Sequence, residues 1–290
     1  MTNKDKIDSR VYKLYDEYCH GYISRRDFFN KASKLTVGGV TALAMAEALL
    51  PKYAEAQTIS FTDERIKANY VNYPSPGGNS GEMRGYLVHP VGDGPFTPVL
   101  VMHENRGLNP HIEDVARRFA VEGFLALAPD GLAPVGGYPG NDDDGRAMQR
   151  ELDGDKLLQD MVNSANYLSE MEQANDKLAV TGFCWGGYAT NFLAGTLGDK
   201  VKKAVPFYGR GVDAELAANI KASLMVQDGE KDERINAGWP AYEELLKADG
   251  VDYVRYVYAG AEHGFHNNST PRYNEAAAKL AWQRTVDFFA

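Results

Sequence analysis

From residue 57 to the C-terminus, short apolar runs of strand length alternate with longer stretches of helical periodicity. Parallel strands can be joined only by crossovers, so this alternation restricts the chain to an α/β architecture, a mostly parallel sheet with helices on both faces. Strands are expected at 68–73, 82–89, 98–103, 124–128, 178–181, 204–207, 223–227 and 253–258. The first two, separated by Pro74-Ser75-Pro76-Gly77-Gly78, read as a hairpin-like opening of the sheet. Helices are expected at 109–122, 146–170, 186–197, 239–248 and 273–289, with 132–145, rich in Gly, Pro and Asp, as a long loop and a candidate active-site wall. In open sheets of this class ligands bind beyond the carboxyl ends of the strands, which directs attention to the residues just after them.

With 290 residues and 44% hydrophobic content the chain can bury one core without a second domain. A net charge of −9 with no basic cluster excludes nucleic acid and an anionic membrane surface as partners. The cysteines are Cys19 and Cys184, and Cys184 reads as a free thiol.

Residues 1–56 form a separate segment. Ser24-Arg25-Arg26-Asp27-Phe28-Phe29 is similar to a twin-arginine export signal, followed by a modestly apolar stretch at 35–50, Pro51, and the small-x-small triplet Ala54-Glu55-Ala56. Cleavage there leaves Gln57 first and implies a periplasmic or exported protein. The alternative is a helical arm retained on the body or on a partner subunit, in a protein that stays in the cytoplasm. Glu47 interrupts the apolar stretch, which falls short of the roughly 20 residues of a membrane span, so no stable membrane anchor is expected.

Gly182-Phe183-Cys184-Trp185-Gly186-Gly187 lies between an expected strand and an expected helix, the setting of a nucleophile elbow, with cysteine at the nucleophile position. Small residues flank such a turn because side chains there would strike the neighbouring strand and helix. The helix that follows turns its positive end toward the sulfur and favours thiolate. An acid and then a base follow in chain order, Asp232 after the strand at 223–227 and His263 after the strand at 253–258. Asp228, Glu230 and Glu233 compete for the acid role, and His266, read as a pocket-wall or surface residue, competes for the base. Attack by Cys184, oriented proton transfer by His263, and oxyanion binding by the backbone N–H groups of Trp185 and Asn105 would together hydrolyse an acyl compound.

These residues resemble the dienelactone hydrolase (carboxymethylenebutenolidase) family over 58–290, through the cysteine elbow, Asp232, the His263-Gly264-Phe265 turn and His103-Glu104-Asn105-Arg106-Gly107-Leu108-Asn109. The resemblance implies an α/β-hydrolase fold, a lactone or carboxylic ester substrate, a Glu104 that receives the resting thiol's proton, and an oxyanion donor at Asn105. Read without the family, Glu104 is equally a structural anion bonded to backbone amides. Family members that open dienelactone hold its carboxylate with two arginines, one of them four residues after the catalytic histidine, where this chain has Asn267. Arg106, Tyr208, Arg146 and Asn267 are the candidates for substrate contact, with Arg150 and Arg272 as further cations. Arg106 either binds a substrate carboxylate or pairs with Glu104 or a neighbouring loop acid.

No cofactor or metal is expected; the acidic run Asp142-Asp143-Asp144 lacks the spacing of a calcium loop and reads as a solvated loop. The expected partner is a small-molecule ester or lactone. A ligand receptor on a hydrolase fold and a redox role for Cys184 are the competing classes.

Overall fold

The computed structural model describes residues 22–34 and 52–290 together with Val11, Leu14, Tyr15, Glu17 and Tyr18. Cys19 and the apolar stretch at 35–50 lie outside the described residues. Among the described residues the N-terminal segment contributes helix α1 (Arg25–Ala32) and one helical turn α2 (Tyr53–Ala56). The body then runs β1 (Ile66–Ser75), β2 (Gly81–Pro90), β3 (Pro98–Met102), α3 (Pro110–Val121), β4 (Leu125–Pro129), α4 (Asp142–Glu151), α5 (Gly154–Ser169) and β5 (Ala179–Phe183). It ends with α6 (Trp185–Leu197), β6 (Lys203–Phe207), α7 (Ala214–Ala218), β7 (Ser223–Gly229), α8 (Glu233–Ala248), β8 (Tyr253–Tyr258) and α9 (Glu275–Phe289).

The strands form one sheet in the order β1-β2-β4-β3-β5-β6-β7-β8. β2 is antiparallel to both β1 and β4, and every later pairing is parallel. The chain moves from β3 outward to β4, then returns to the other side of β3 as β5, so the strand order reverses between β3 and β5. Such a reversal opens a crevice at the carboxyl ends of the two strands, because their connections leave toward opposite faces.

Each central strand feeds two cores. Val99, Val101, Ala126, Ala128 and Val205 face the layer built on α3 and α9, while Leu100, Met102, Leu125, Leu127 and Ala204 face the layer of α5, α6 and α8. The apolar runs of these strands are continuous because both faces are covered.

Local chemistry accounts for four departures from the sequence reading. Asn141 caps the stretch expected to be loop, its side chain accepting from the Asp144 amide at 2.9 Å, so the acidic run forms the first turn of α4. The single helix expected at 146–170 is two, since Leu152 is extended and Asp153 starts α5 by accepting from the amides of Asp155 and Lys156. α7, capped by Asp213, was not foreseen, and α8 starts at Glu233 rather than 239 because Asp232 caps it.

Candidate active site

Cys184 stands between β5 and α6 with φ 57° and ψ −109°, a conformation in the left-handed half of backbone space that costs a non-glycine residue about 1–3 kcal/mol. Its neighbours explain how the turn is tolerated. A Cβ on Gly182 would lie 2.3 Å from the Gly186 carbonyl, one on Gly186 2.5 Å from the Met102 carbonyl, and one on Gly187 2.5 Å from the Phe207 carbonyl. The Cys184 amide donates to the Phe207 carbonyl at 3.0 Å, tying the elbow to β6. The side chain is half-buried at the N-terminus of α6, whose first amides have no intrahelical acceptor.

Asp232 and His263 meet across the ends of β7 and β8. His263 Nδ1 lies 2.5 Å from Asp232 Oδ2, and both side chains are buried. The other Asp232 oxygen accepts from the Ile235 amide at 3.2 Å, so one carboxylate both caps α8 and orients the imidazole. Gly264, at φ +80°, turns the chain directly after the histidine.

The turn after β3 carries the second half of the site. His103 is buried, with Nδ1 2.6 Å from the Glu104 carbonyl and Nε2 accepting from the Gly131 amide at 3.2 Å. Burial holds its imidazole below the usual histidine range, which fits one neutral tautomer with the proton on Nδ1. Trp185 stacks on this ring at 5.4 Å, joining the two strand ends that flank the crevice.

Glu104 is buried, 2.7 Å from Arg106 Nη2, and accepts from Asn267 Nδ2 at 3.2 Å. The other Arg106 nitrogen lies 2.6 Å from Asp142 Oδ2, while Tyr53 and Tyr138 donate to Asp142 Oδ1 at 2.7 and 2.8 Å. Burial by itself would raise the Asp142 carboxyl, but Arg106 and the two tyrosines hold it below the ordinary carboxylate range. The solvated loop expected at 142–144 is therefore corrected at its first residue: Asp142 is a buried anion because a buried guanidinium faces it.

The remaining candidates are scattered. Tyr208 follows β6 with its ring 5.0 Å from that of His263, and burial, then Glu104 and Cys184, push its phenol well above the usual range. Asn267 is spent on Glu104 and on Ser269, whose hydroxyl donates to it at 2.6 Å. Arg146 pairs with Asp143 and lies over the Tyr18 ring at 4.7 Å, on the arm side of α4, and Arg150 is exposed. Arg272 is buried beside Gly264 and over the Tyr15 ring at 5.0 Å. His266 is corrected from a pocket wall or surface to a core position: 1% exposed, its ring stacks on Phe183 at 5.0 Å. Burial, then Arg118 and His111, hold it far below the usual histidine range. Asp228 is likewise buried, paired with Arg255 at 2.7 Å and pushed by burial to about 6.

Sequence reasoning missed Asp142, Tyr53, Tyr138 and His103. An Asn followed by three acids is a helix-start signal and was legible at 141–144; the two tyrosines carried none. Among the described residues no group of three or more His, Cys, Asp and Glu is placed to hold a metal, and no helix is long and apolar enough to cross a membrane.

Residues 83–290 match the model of the dienelactone hydrolase family, and residues 1–37 match a separate model described as YqhI-like. The chain is 60% identical to the "Putative hydrolase fragment YghX" of Escherichia coli K12 over 115 residues, 39% of this chain and 97% of that one. It is 30% identical to the "Putative carboxymethylenebutenolidase" of the same strain over 251 residues, 81% of this chain and 91% of that one. The crystal structure of a "Putative Dienelactone Hydrolase" from Klebsiella pneumoniae superposes with a TM-score of 0.65 at 27% identity, covering 76% of this chain and 98% of that one.

Proposed function

We propose that this chain, a hydrolase that belongs to the dienelactone hydrolase family, cleaves a carboxylic ester or lactone with Cys184 as nucleophile and a thioester intermediate. The observation that carries this reading is the strained Cys184 at the head of α6 on the same sheet edge as the 2.5 Å His263–Asp232 pair. Strain of this kind persists only where the surrounding structure enforces it, and it lifts the side chain clear of the sheet.

The steps follow from the groups present. The Cys184 thiolate forms a C–S bond with the substrate carbonyl carbon, and the carbonyl electrons move to oxygen. The N–H groups of Trp185 and Asn105 hold that oxyanion, each such donor supplying a factor of about 10²–10³ in rate. Collapse breaks the C–O bond and His263, as the imidazolium paired with Asp232, gives its proton to the departing alkoxide; the neutral ring then takes one from the water that attacks the thioester, and the C–S bond breaks to release the acid and the Cys184 thiolate. Asp232 holds the imidazole in orientation throughout. Glu104, in this reading, receives the resting thiol's proton as substrate arrives and returns it to the Cys184 thiolate as product leaves.

Arg106 supports less than the sequence allowed. Both of its terminal nitrogens face carboxylates, Glu104 and Asp142, in a side chain 2% exposed. This favours the pairing role over recognition of a substrate anion.

The test is an aryl ester assay combined with intact-mass analysis. Wild type should show turnover and a transient acyl adduct on the Cys184 peptide, whereas Cys184→Ala should lose the adduct and at least about 10³ in kcat. Activity of Cys184→Ala within about tenfold of wild type would sink the nucleophile assignment.

A further inference from the structure

The N-terminal arm reaches Glu104 from two directions. On one side Tyr53 Oη donates to Asp142 Oδ1 at 2.7 Å, Asp142 Oδ2 binds Arg106 at 2.6 Å, and Arg106 binds Glu104 at 2.7 Å. On the other, the Lys52 amide donates to the Ser269 carbonyl at 2.7 Å, Ser269 donates to Asn267 Oδ1, and Asn267 donates to the same Glu104 oxygen at 3.2 Å. Asn268 adds a bond to the Ala56 carbonyl at 2.7 Å.

Helix α4 transmits the first of these connections. It grips the turn holding Arg106 at three places: Asp142 on the guanidinium, Gly145, whose added Cβ would lie 2.5 Å from the Arg106 carbonyl, and Gln149, which accepts from the Gly107 amide at 3.1 Å. The arm grips α4 in turn, for Tyr18 bonds Asp143, Arg25 pairs with Asp143 at 2.6 Å, and Tyr53 bonds Asp142. Arm, helix and the loop before it line an open cavity of about 260 Å³, with Tyr15, Tyr18, Tyr53 and Tyr138 among its walls. The contacts made by Tyr18, Arg25, Lys52, Tyr53 and Ala56 are lost on removal of the segment before Gln57.

We propose that the arm is a retained part of the working enzyme and that Tyr53 is a positioning residue, acting through Asp142 and Arg106 on Glu104. Arg106 is shared between two buried carboxylates, so its place depends on both. Asp142 stays where a guanidinium can bind it because two hydroxyls fix its far oxygen. A charge-assisted chain of this kind, buried in a low-dielectric region, has steep distance dependence, and slack at one end moves the other. The proposal rests on the catalytic reading of Glu104 given above.

A double-mutant cycle in the full-length chain tests it. Tyr53→Phe keeps the ring and removes one hydroxyl; kcat for an aryl ester should fall about five- to tenfold while KM stays within about twofold. In the Glu104→Gln background the same change should alter kcat by less than about twofold, because the group it acts on is gone. An equal loss in both backgrounds, a loss confined to KM, or no loss overturns the proposal. So does isolation of the active enzyme as a chain beginning at Gln57. If wild type turns over no ester, the functional reading fails by itself, and the cycle is read instead in the rate of Cys184 alkylation by iodoacetamide. Non-additivity in that rate still supports the linkage, and additivity overturns it.

Discussion

His263 and His266 stand three residues apart and occupy opposite kinds of surroundings. His263 is bonded to Asp232, and the site holds a second polar set in which Glu104 is bonded to Arg106 and Asn267 and Arg106 to Asp142. His266 belongs to an aromatic region, stacked on Phe183, 5.1 Å from Phe207 and 5.9 Å from His111, and neither of its ring nitrogens has a hydrogen-bond partner among the described residues. In the first region a polar atom is useful because a partner fixes its direction. In the second, water has been removed and nothing replaces it, so the imidazole stays neutral and behaves as a ring.

The sharpest way to break this contrast is to exchange the two losses. His263→Ala should lower kcat by about 10³ or more at nearly unchanged stability, while His266→Phe, an apolar ring for an apolar setting, should leave kcat within about threefold and the melting temperature unchanged or higher. Steady-state kinetics and thermal denaturation on both variants decide it. A severe kinetic loss in His266→Phe would assign the base to the wrong histidine.

Next in size is Arg106→Ala, which leaves Glu104 and Asp142 buried without their shared cation. Breaking such a pair costs about 3–5 kcal/mol, so the chemical denaturation midpoint should drop clearly. Turnover should fall alike for anionic and neutral esters. A loss confined to anionic substrates would restore Arg106 as a substrate ligand.

The aromatic region should also leave a signature in acid. His111, pushed by burial to about 4, and His266 take up protons more readily unfolded than folded. Their contribution to stability is complete above the unfolded value of about 6.5 and is lost as pH falls below it. Asp228 runs the other way, since a carboxyl raised to about 6 adds stability as pH falls from there toward its unfolded value. Melting temperature against pH should therefore show a smaller acid loss in His266→Phe than in wild type. Superimposable curves would remove His266 as the source.

The smallest effect belongs to the surface. Arg25 pairs with Asp143 from a side chain 54% exposed, and an exposed pair contributes about 0–1 kcal/mol. Changing Arg25 and Arg26 to Lys should shift unfolding within that range. If the arm is retained, the compartment of the protein should not change either; failure to reach an exported location would instead establish an export signal, testable by fractionation.

Much of this protein was readable locally. The alternation of strand and helix periods, the glycines around Cys184 and the chain order of Cys184, Asp232 and His263 are short-range facts, fixed by backbone sterics and by the two faces each strand must bury. The α/β sheet with its parallel body follows from them. Reading Asp142-Asp143-Asp144 as solvated failed because charge alone does not reveal a facing guanidinium, and the contact to Tyr53 spans 89 positions. The arm's docking on α4 was illegible for the same reason, and so was the burial of His266 among aromatic rings. Sequence by itself determined which elements form and which residues stand at the carboxyl ends of the strands. Only the tertiary structure decided which buried charges face each other, because the energy of a polar group depends on its partner and its dielectric surroundings, and neither is a property of its neighbours in sequence.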